Sequence, residues 1–248
     1  ALPMLENLGM KVLTENPYSL NLEGRRVVIQ DFALEPLDAG MPLEHIKANF
    51  ESAFYAVWSG QCENDAFNKL VVLSELSWQR ISVLRAYCKY LLQIGVPFSQ
   101  TYMEDTLQRY PAVARILIGL FDARFDPDLS GSNVDLAPTL KRMGVEAAER
   151  YLANFVDTTR AEQIGAVDKL LNKQLSKVAS LDEDRILRAF ATVMRATLRT
   201  SYFRFRDAQA SAKDYVSYKF DPLQIPDMPK PVPYREIFVY SPSVEGVH

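Results

Sequence analysis

From Ile46 to Leu198 the apolar residues recur mostly at helical spacing, and this periodicity is the feature that most limits what the chain can become. Ile46, Phe50, Phe54 and Val57 mark one face of a first helix, because residues three and four apart share a side of the 3.6-residue turn. Pro42 suits its first turn, where a missing N–H has no partner to lose. Phe67, Leu70, Val71 and Leu73, ahead of Ser74, give a second run. Trp78, Ile81, Leu84, Cys88, Leu91 and Leu92 give a third, stopped by Gly95 and Pro97. Tyr102, Met103, Leu107 and Tyr110 form the next, and Pro111 opens another through Val113, Leu117, Leu120, Phe121 and Phe125. Short connections between such runs predict antiparallel neighbours, hence a mainly α fold built as a multi-helix scaffold.

Beyond the polar stretch 126–135, a long helical pattern runs from Pro138 to Val178. It carries Leu140, Gly144, Ala147, Tyr151, Phe155, Thr158, Val167, Leu170, Leu171 and Leu175, and Gly165 is its expected bend. Ser180 and Glu183 then stand at capping-box spacing, with Asp182 and Asp184 where the helix dipole is positive. Ile186, Phe190, Val193, Thr197 and Leu198 supply the buried stripe of a helix over 181–200.

The two ends read differently. Residues 2–8 form a short helix closed by Gly9, and MKVL and VVIQDF read as strands flanking a turn-prone stretch with Asn16, Pro17, Asn21 and Gly24. Two strands are too few to bury their own sheet face. After residue 200 the pattern turns aperiodic and meets Pro222, Pro226, Pro229, Pro231 and Pro233, which favour an extended connector. REIFVYSP alternates as a strand; taken alone it cannot satisfy its own N–H and C=O groups, so a poorly anchored tail is expected. Four parts follow: residues 1–37, a helical part over 38–137, a long-helix hairpin over 138–221, and a proline-rich linker with a strand over 222–248. Both ends read as cut.

Composition narrows the function. The 248 residues are 48% hydrophobic and 24% charged, as in a soluble globular protein, and 28 Lys plus Arg against 31 Asp plus Glu leave a formal charge of −3. A nucleic-acid partner would call for a basic footprint, which is missing. No apolar stretch reaches the roughly 18 residues of a membrane span, and no secretory leader is apparent. Cys62 and Cys88 lack disulfide or metal spacing and read as reduced thiols of a cytosolic protein.

The candidates for chemistry are weak. The ten glycines are never closer than 12 positions apart, so neither GxGxxG nor GxxxxGK[ST] can occur and the chain has no phosphate-cradling loop. Asp126, Asp128, Ser130 and Gly131 fall on positions 1, 3, 5 and 6 of a calcium loop, yet Ala137 holds the position that needs a bidentate Glu and Asn133 the apolar one. A polar turn is the better reading. His45 has no ligand-spaced neighbour and reads as a surface or packing histidine. Arg185, Arg188, Arg195 and Arg199, with Arg204 and Arg206, read mainly as partners of nearby acids, and otherwise as an anion or interdomain contact. Trp78, Tyr87, Tyr90 and Phe98 read as core or interface. No catalytic, cofactor-binding or metal-ligating residue is assigned within 1–248.

The run FDPLQIPDMPKPVPYREIFVYSPSVEGVH resembles the approach to the catalytic core of the large bacterial NAD-specific glutamate dehydrogenases. LPMLENLGMKVLTENPYSL, DAFNKLVV, LRAYCKYLLQIGVPFSQTYMEDTL, LFDARFDP, TLRTSYF and SYKFDP resemble the same family in the same order, so the likeness covers nearly the whole chain. The resemblance implies a parent enzyme that oxidatively deaminates L-glutamate to 2-oxoglutarate and ammonium with NAD as cofactor. It implies catalytic lysines, an aspartate and a dinucleotide fold beyond residue 248, and a partial ACT-like regulatory module in 1–37. This chain would then be a non-catalytic scaffold that binds no cofactor itself. Its partners would be the catalytic domain and upstream regulatory modules of the same polypeptide, within a homo-oligomer. The rival reading is a stand-alone helical interaction module.

Overall fold

A computed structural model describes residues 2–37, 43–128, 135–152, 158–205, 215–226, 228–242 and 245–247. Pro42, Ser130, Gly131, Asn133, Phe155 and Arg206 lie outside the described residues. The described part is mainly helical, with small antiparallel sheets toward each end.

The centre is built from α4 (Trp78–Gln93) and α6 (Pro111–Phe125). Helix α6 is buried from Ile116 to Ala123 without a break, which fits a helix apolar nearly all round. Around them stand α2 (Leu43–Trp58), the one-turn α3 (Leu70–Leu73), α5 (Gln100–Arg109) and α10 (Leu181–Ala196). Local chemistry fixes the ends. Ser77 and Ser99 accept hydrogen bonds from the N–H groups of Arg80 and Tyr102, and Pro111 opens α6. Gly95, at φ +84, closes α4 with its N–H on Leu92 O and the Val96 N–H on Leu91 O, the paired bonds of a Schellman motif.

Among the described residues, the expected long helix over 138–178 is divided among α7 (Leu136–Arg142), α8 (Ala147–Leu152) and α9 (Arg160–Leu175). One break falls at Gly144, and none at Gly165. Gly144 takes φ +76 and repeats the Schellman pairing, its N–H on Lys141 O and the Val145 N–H on Leu140 O, whereas Gly165 lies inside α9. Helix α9 also starts at the complete capping box: Thr159 caps Glu162 N, and the Glu162 carboxylate returns to Thr159 N at 2.9 Å. At Ser180 only half of the box forms. Ser180 accepts from Glu183 N, but the Glu183 carboxylate pairs instead with Arg109 and takes the Tyr110 hydroxyl at 2.8 Å.

Helix α10 stops at Ala196, short of the expected 200. Arg124 Nη2 lies 2.9 Å from the carbonyls of both Arg195 and Thr197, capturing the helix end and turning Thr197 and Leu198 into strand. Thr197 stays buried; Leu198 is exposed. The end of the expected helix contributes β3 (Thr197–Thr200) and the stretch read as aperiodic contributes β4 (Val216–Phe220), and these join β5 (Glu236–Tyr240) and β6 (Glu245–Val247) in an antiparallel sheet of order β3-β4-β5-β6. The C-terminal strand is therefore neither lone nor poorly anchored: it pairs with a strand on each side, and its register with β4 runs from Val216 opposite Tyr240 to Phe220 opposite Glu236. Pro222 opens a short 3-10 turn rather than an extended connector.

At the other end, α1 (Leu2–Asn7) leads through Gly9 into β1 (Met10–Leu22) and β2 (Arg25–Pro36). Gly9, at φ +81, sits where a Cβ would come within 3.1 Å of Val72. The turn is not at Asn16 and Pro17, which continue β1, but at Glu23 and Gly24, both at positive φ as a two-residue hairpin turn demands. Pro17 is tolerated because each strand of a two-stranded ribbon keeps an open edge. The register puts Tyr18, Leu20, Leu22, Val27 and Ile29 on one face, all exposed.

Candidate functional site

A concentration of buried polar side chains lies where α4 and the segment before it meet the C-terminal sheet. Arg85 has no exposed surface, although it sits in the apolar stretch of α4. Asp65 receives its Nε at 2.6 Å and one Nη2 bond at 2.8 Å, Asn68 receives a second Nη2 bond at 2.8 Å, and the Cys62 sulfur lies 3.7 Å from Nη1. Asp65 caps the 3-10 turn Ala66–Lys69 through Phe67 N, and the Asn68 amide holds Glu63 O at 2.8 Å, so the segment 62–69 is folded around one guanidinium. Burial opposes the charge on Arg85, but hydrogen bonding and the charge of Asp65 more than offset it and hold the guanidinium well above its usual range.

The same region grips β5 at both ends. Tyr90 donates to Glu236 Oε2 at 2.5 Å, and Tyr240 donates to Glu63 Oε1 at 3.0 Å with Lys89 Nζ 3.8 Å from the other oxygen. Between these points Phe220 stacks on Tyr90 at 4.1 Å and Phe238 tilts against it at 5.6 Å. Tyr87 lies 2.9 Å from Thr197 Oγ1. The threonine proton is directed at Val193 O at 2.8 Å, so the phenol is the donor. Burial pushes the Tyr87, Tyr90 and Tyr240 phenols upward. Donors, acceptors and rings are all engaged within the protein, and the arrangement positions a sheet.

The candidates from the sequence fall elsewhere or join this seam. Cys62 is part of it, its thiol raised by burial with Arg85 opposing; Cys88 is buried on α4, its sulfur 4.0 Å from that of Met103, and is raised by burial. His45 is exposed on α2. Asp126 is buried, accepts from Asp128 N at 3.0 Å and lies 3.9 Å from Arg80; Ala137 is in α7. Among the described residues no cluster of three His, Cys, Asp or Glu could hold a metal ion, and no helix is long and apolar enough to cross a membrane. The arginine series does not converge: Arg185 pairs with Asp182, Arg188 with Asp184 and Arg195 with Asp168, while Arg199 is exposed on β3. Tyr87 and Tyr90 belong to the seam, and Trp78 and Phe98 pack partly buried against the core. Sequence reasoning missed Arg85, Asp65 and Glu63. A signal was present for the first: Arg85 stands four residues after Ile81 and one after Leu84, inside the apolar stripe of its helix.

Fold and seam together define a mainly helical module that carries a sheet bolted to its central helix. Three family models match it: Glutamate dehydrogenase, ACT3 domain, over residues 1–46; Glutamate dehydrogenase, helical motif 3, over 62–127; and Bacterial NAD-glutamate dehydrogenase, catalytic domain, over 170–248. Among similar proteins are the NAD-specific glutamate dehydrogenases of Halomonas elongata, 37% identical over 248 residues, of Mycobacterium tuberculosis, 40% over 255, and of Pseudomonas aeruginosa, 40% over 251. Each alignment covers 100% of this chain and 14% of the relative's length. The chain is similar over its whole length to a segment of the bacterial NAD-specific glutamate dehydrogenases, and spans about a seventh of their length.

Proposed function

We propose that this chain serves as the non-catalytic helical scaffold of an NAD-dependent glutamate dehydrogenase. The complete polypeptide would convert L-glutamate, water and NAD⁺ to 2-oxoglutarate, ammonium, NADH and a proton, the hydride passing from the substrate α-carbon to the nicotinamide. The observation that carries this reading is the shared core: Tyr87, Tyr90 and Phe121, within the helical-motif match, pack against Tyr218, Phe220 and Phe238, within the catalytic-domain match. A scaffold that sets the position of a catalytic sheet needs this continuity. Residues 1–37 act as part of an ACT-like regulatory module whose remaining layer packs on the apolar face of the hairpin, and residues 222–248 lead into the catalytic region. The enzyme works as a homo-oligomer.

With no glycine-rich loop among its ten dispersed glycines, the 248-residue chain should bind NAD no better than millimolar, about −4 kcal/mol, in a calorimetric titration. The complete polypeptide should form NADH from glutamate. Micromolar NAD binding by the 248-residue chain would contradict the scaffold reading, and a complete polypeptide inert toward glutamate would contradict the dehydrogenase.

A further inference from the structure

Between the C-terminal turn of α4, the connector 94–98, α10 and residues 225–226 runs a groove of about 470 Å³. Arg85, Asp65, Tyr87, Tyr90, Glu236 and Tyr240 of the seam do not line it, and its volume falls within the roughly 300–1,000 Å³ of small-molecule sites. The lining is apolar: Leu91, Val193 and Ile225 are buried, and Val96 and Phe98 are partly so. Ala189 and Thr192, the small residues of α10 that face it, leave the space open.

Two cations stand on its rim about one helical turn apart. Arg188 uses only Nε toward Asp184, at 2.8 Å from both carboxylate oxygens, which leaves its terminal nitrogens without a partner among the described residues. Arg185 lies 3.6 Å from Asp182 with both side chains more than half exposed, a pairing too weak to hold it against a better acceptor.

We propose that this groove binds a small organic monocarboxylate, its apolar body on the lining and its carboxylate between Arg185 and Arg188. The guanidinium fork matches a carboxylate, and it gains most where an apolar wall excludes water from one side. A neutral apolar molecule would leave both arginines unused. A small polyanion would leave the lining wet and would meet Asp182 and Asp184 beside the arginines. A single charge on an apolar body meets both demands.

The test is a titration of the ¹⁵N-labelled chain with 4-methylpentanoate and, separately, with 4-methylpentan-1-ol, which has the same branched body and no charge. The carboxylate should shift amides of residues 94–98, 185–193 and 225 and bind at least about tenfold more tightly than the alcohol, the order of gain expected from charge-assisted hydrogen bonds. Arg185→Gln with Arg188→Gln should bring the carboxylate down to the alcohol's level. Thr192→Trp should fill the groove and abolish both, with each variant's unfolding midpoint recorded to confirm the fold. Equal binding of the two probes, shifts elsewhere, or full affinity in the folded double-Gln variant would overturn the proposal. So would loss of binding in the complete polypeptide, since the groove would then be covered by another part of the same protein.

Discussion

Arg85 keeps its charge with no exposed surface because Asp65, itself mostly buried, meets it with two hydrogen bonds while Asn68 takes a third. Removing one partner of such a pair leaves the other charge stranded, so Arg85→Leu should cost about 3–5 kcal/mol in urea denaturation. A loss below about 1 kcal/mol would mean that the pair contributes no more than an exposed one. The buried phenols and thiols supply a second test. Burial raises Tyr87, Tyr90, Tyr218 and Tyr240 above 10.0, and Cys62 and Cys88 above 9.0. In each case the folded state holds the proton more tightly than the unfolded state. The resulting stabilisation is complete below the unfolded value and fades as pH climbs toward the folded one. Thermal melts should therefore show no loss from these groups up to roughly pH 8 and a fall that starts near pH 9 and steepens past 10. A midpoint that rose over that alkaline range would contradict the burial of these groups.

The elements owe their ends to local chemistry. Thr159→Ala removes a complete capping box from α9 and should cost about 1 kcal/mol. Ser180→Ala should cost a similar amount at α10, and Glu183→Ala more than either, because it strips Arg109 and Tyr110 of their shared partner as well. Denaturation midpoints of the three variants check the order, and a Glu183 variant milder than Ser180→Ala would reverse it. Helices α2, α4, α5 and α6 were legible because their apolar period and their stops, such as Gly95, lie within the same short stretch of chain. The break in the 138–178 run was not. Gly144 and Gly165 stand in similar periodic surroundings, and only the first is asked for a positive φ. Strands β3 and β4 were illegible for a different reason: their partners lie across a stretch of chain, and Arg124, which turns α10 into β3, arrives from another helix. The seam was half legible, since a charged residue in the stripe of α4 can be seen in the sequence, whereas its pairing with Asp65 and the reach of Tyr240 to Glu63 are set only by folding.

On the scale of the molecule, one hydrophobic core runs from Leu8 through α4, α6, α9 and α10 to Phe238 and Tyr240. It spans the segment matched to the helical motif and the segment matched to the catalytic domain, so the two have no independent interiors. The β1–β2 hairpin stands apart from this unity, because its exposed apolar face needs a covering layer. Native-state hydrogen exchange tests the shared core most directly. If helices and C-terminal sheet form one cooperative body, the slowest amides of α4, α6, α10 and of the paired strands β4 and β5 should open with the same free energy and the same denaturant dependence, while the hairpin exchanges at lower cost. Exchange of β4 and β5 at a free energy well below that of α4 and α6 would contradict it, since the sheet would then open as a separate unit.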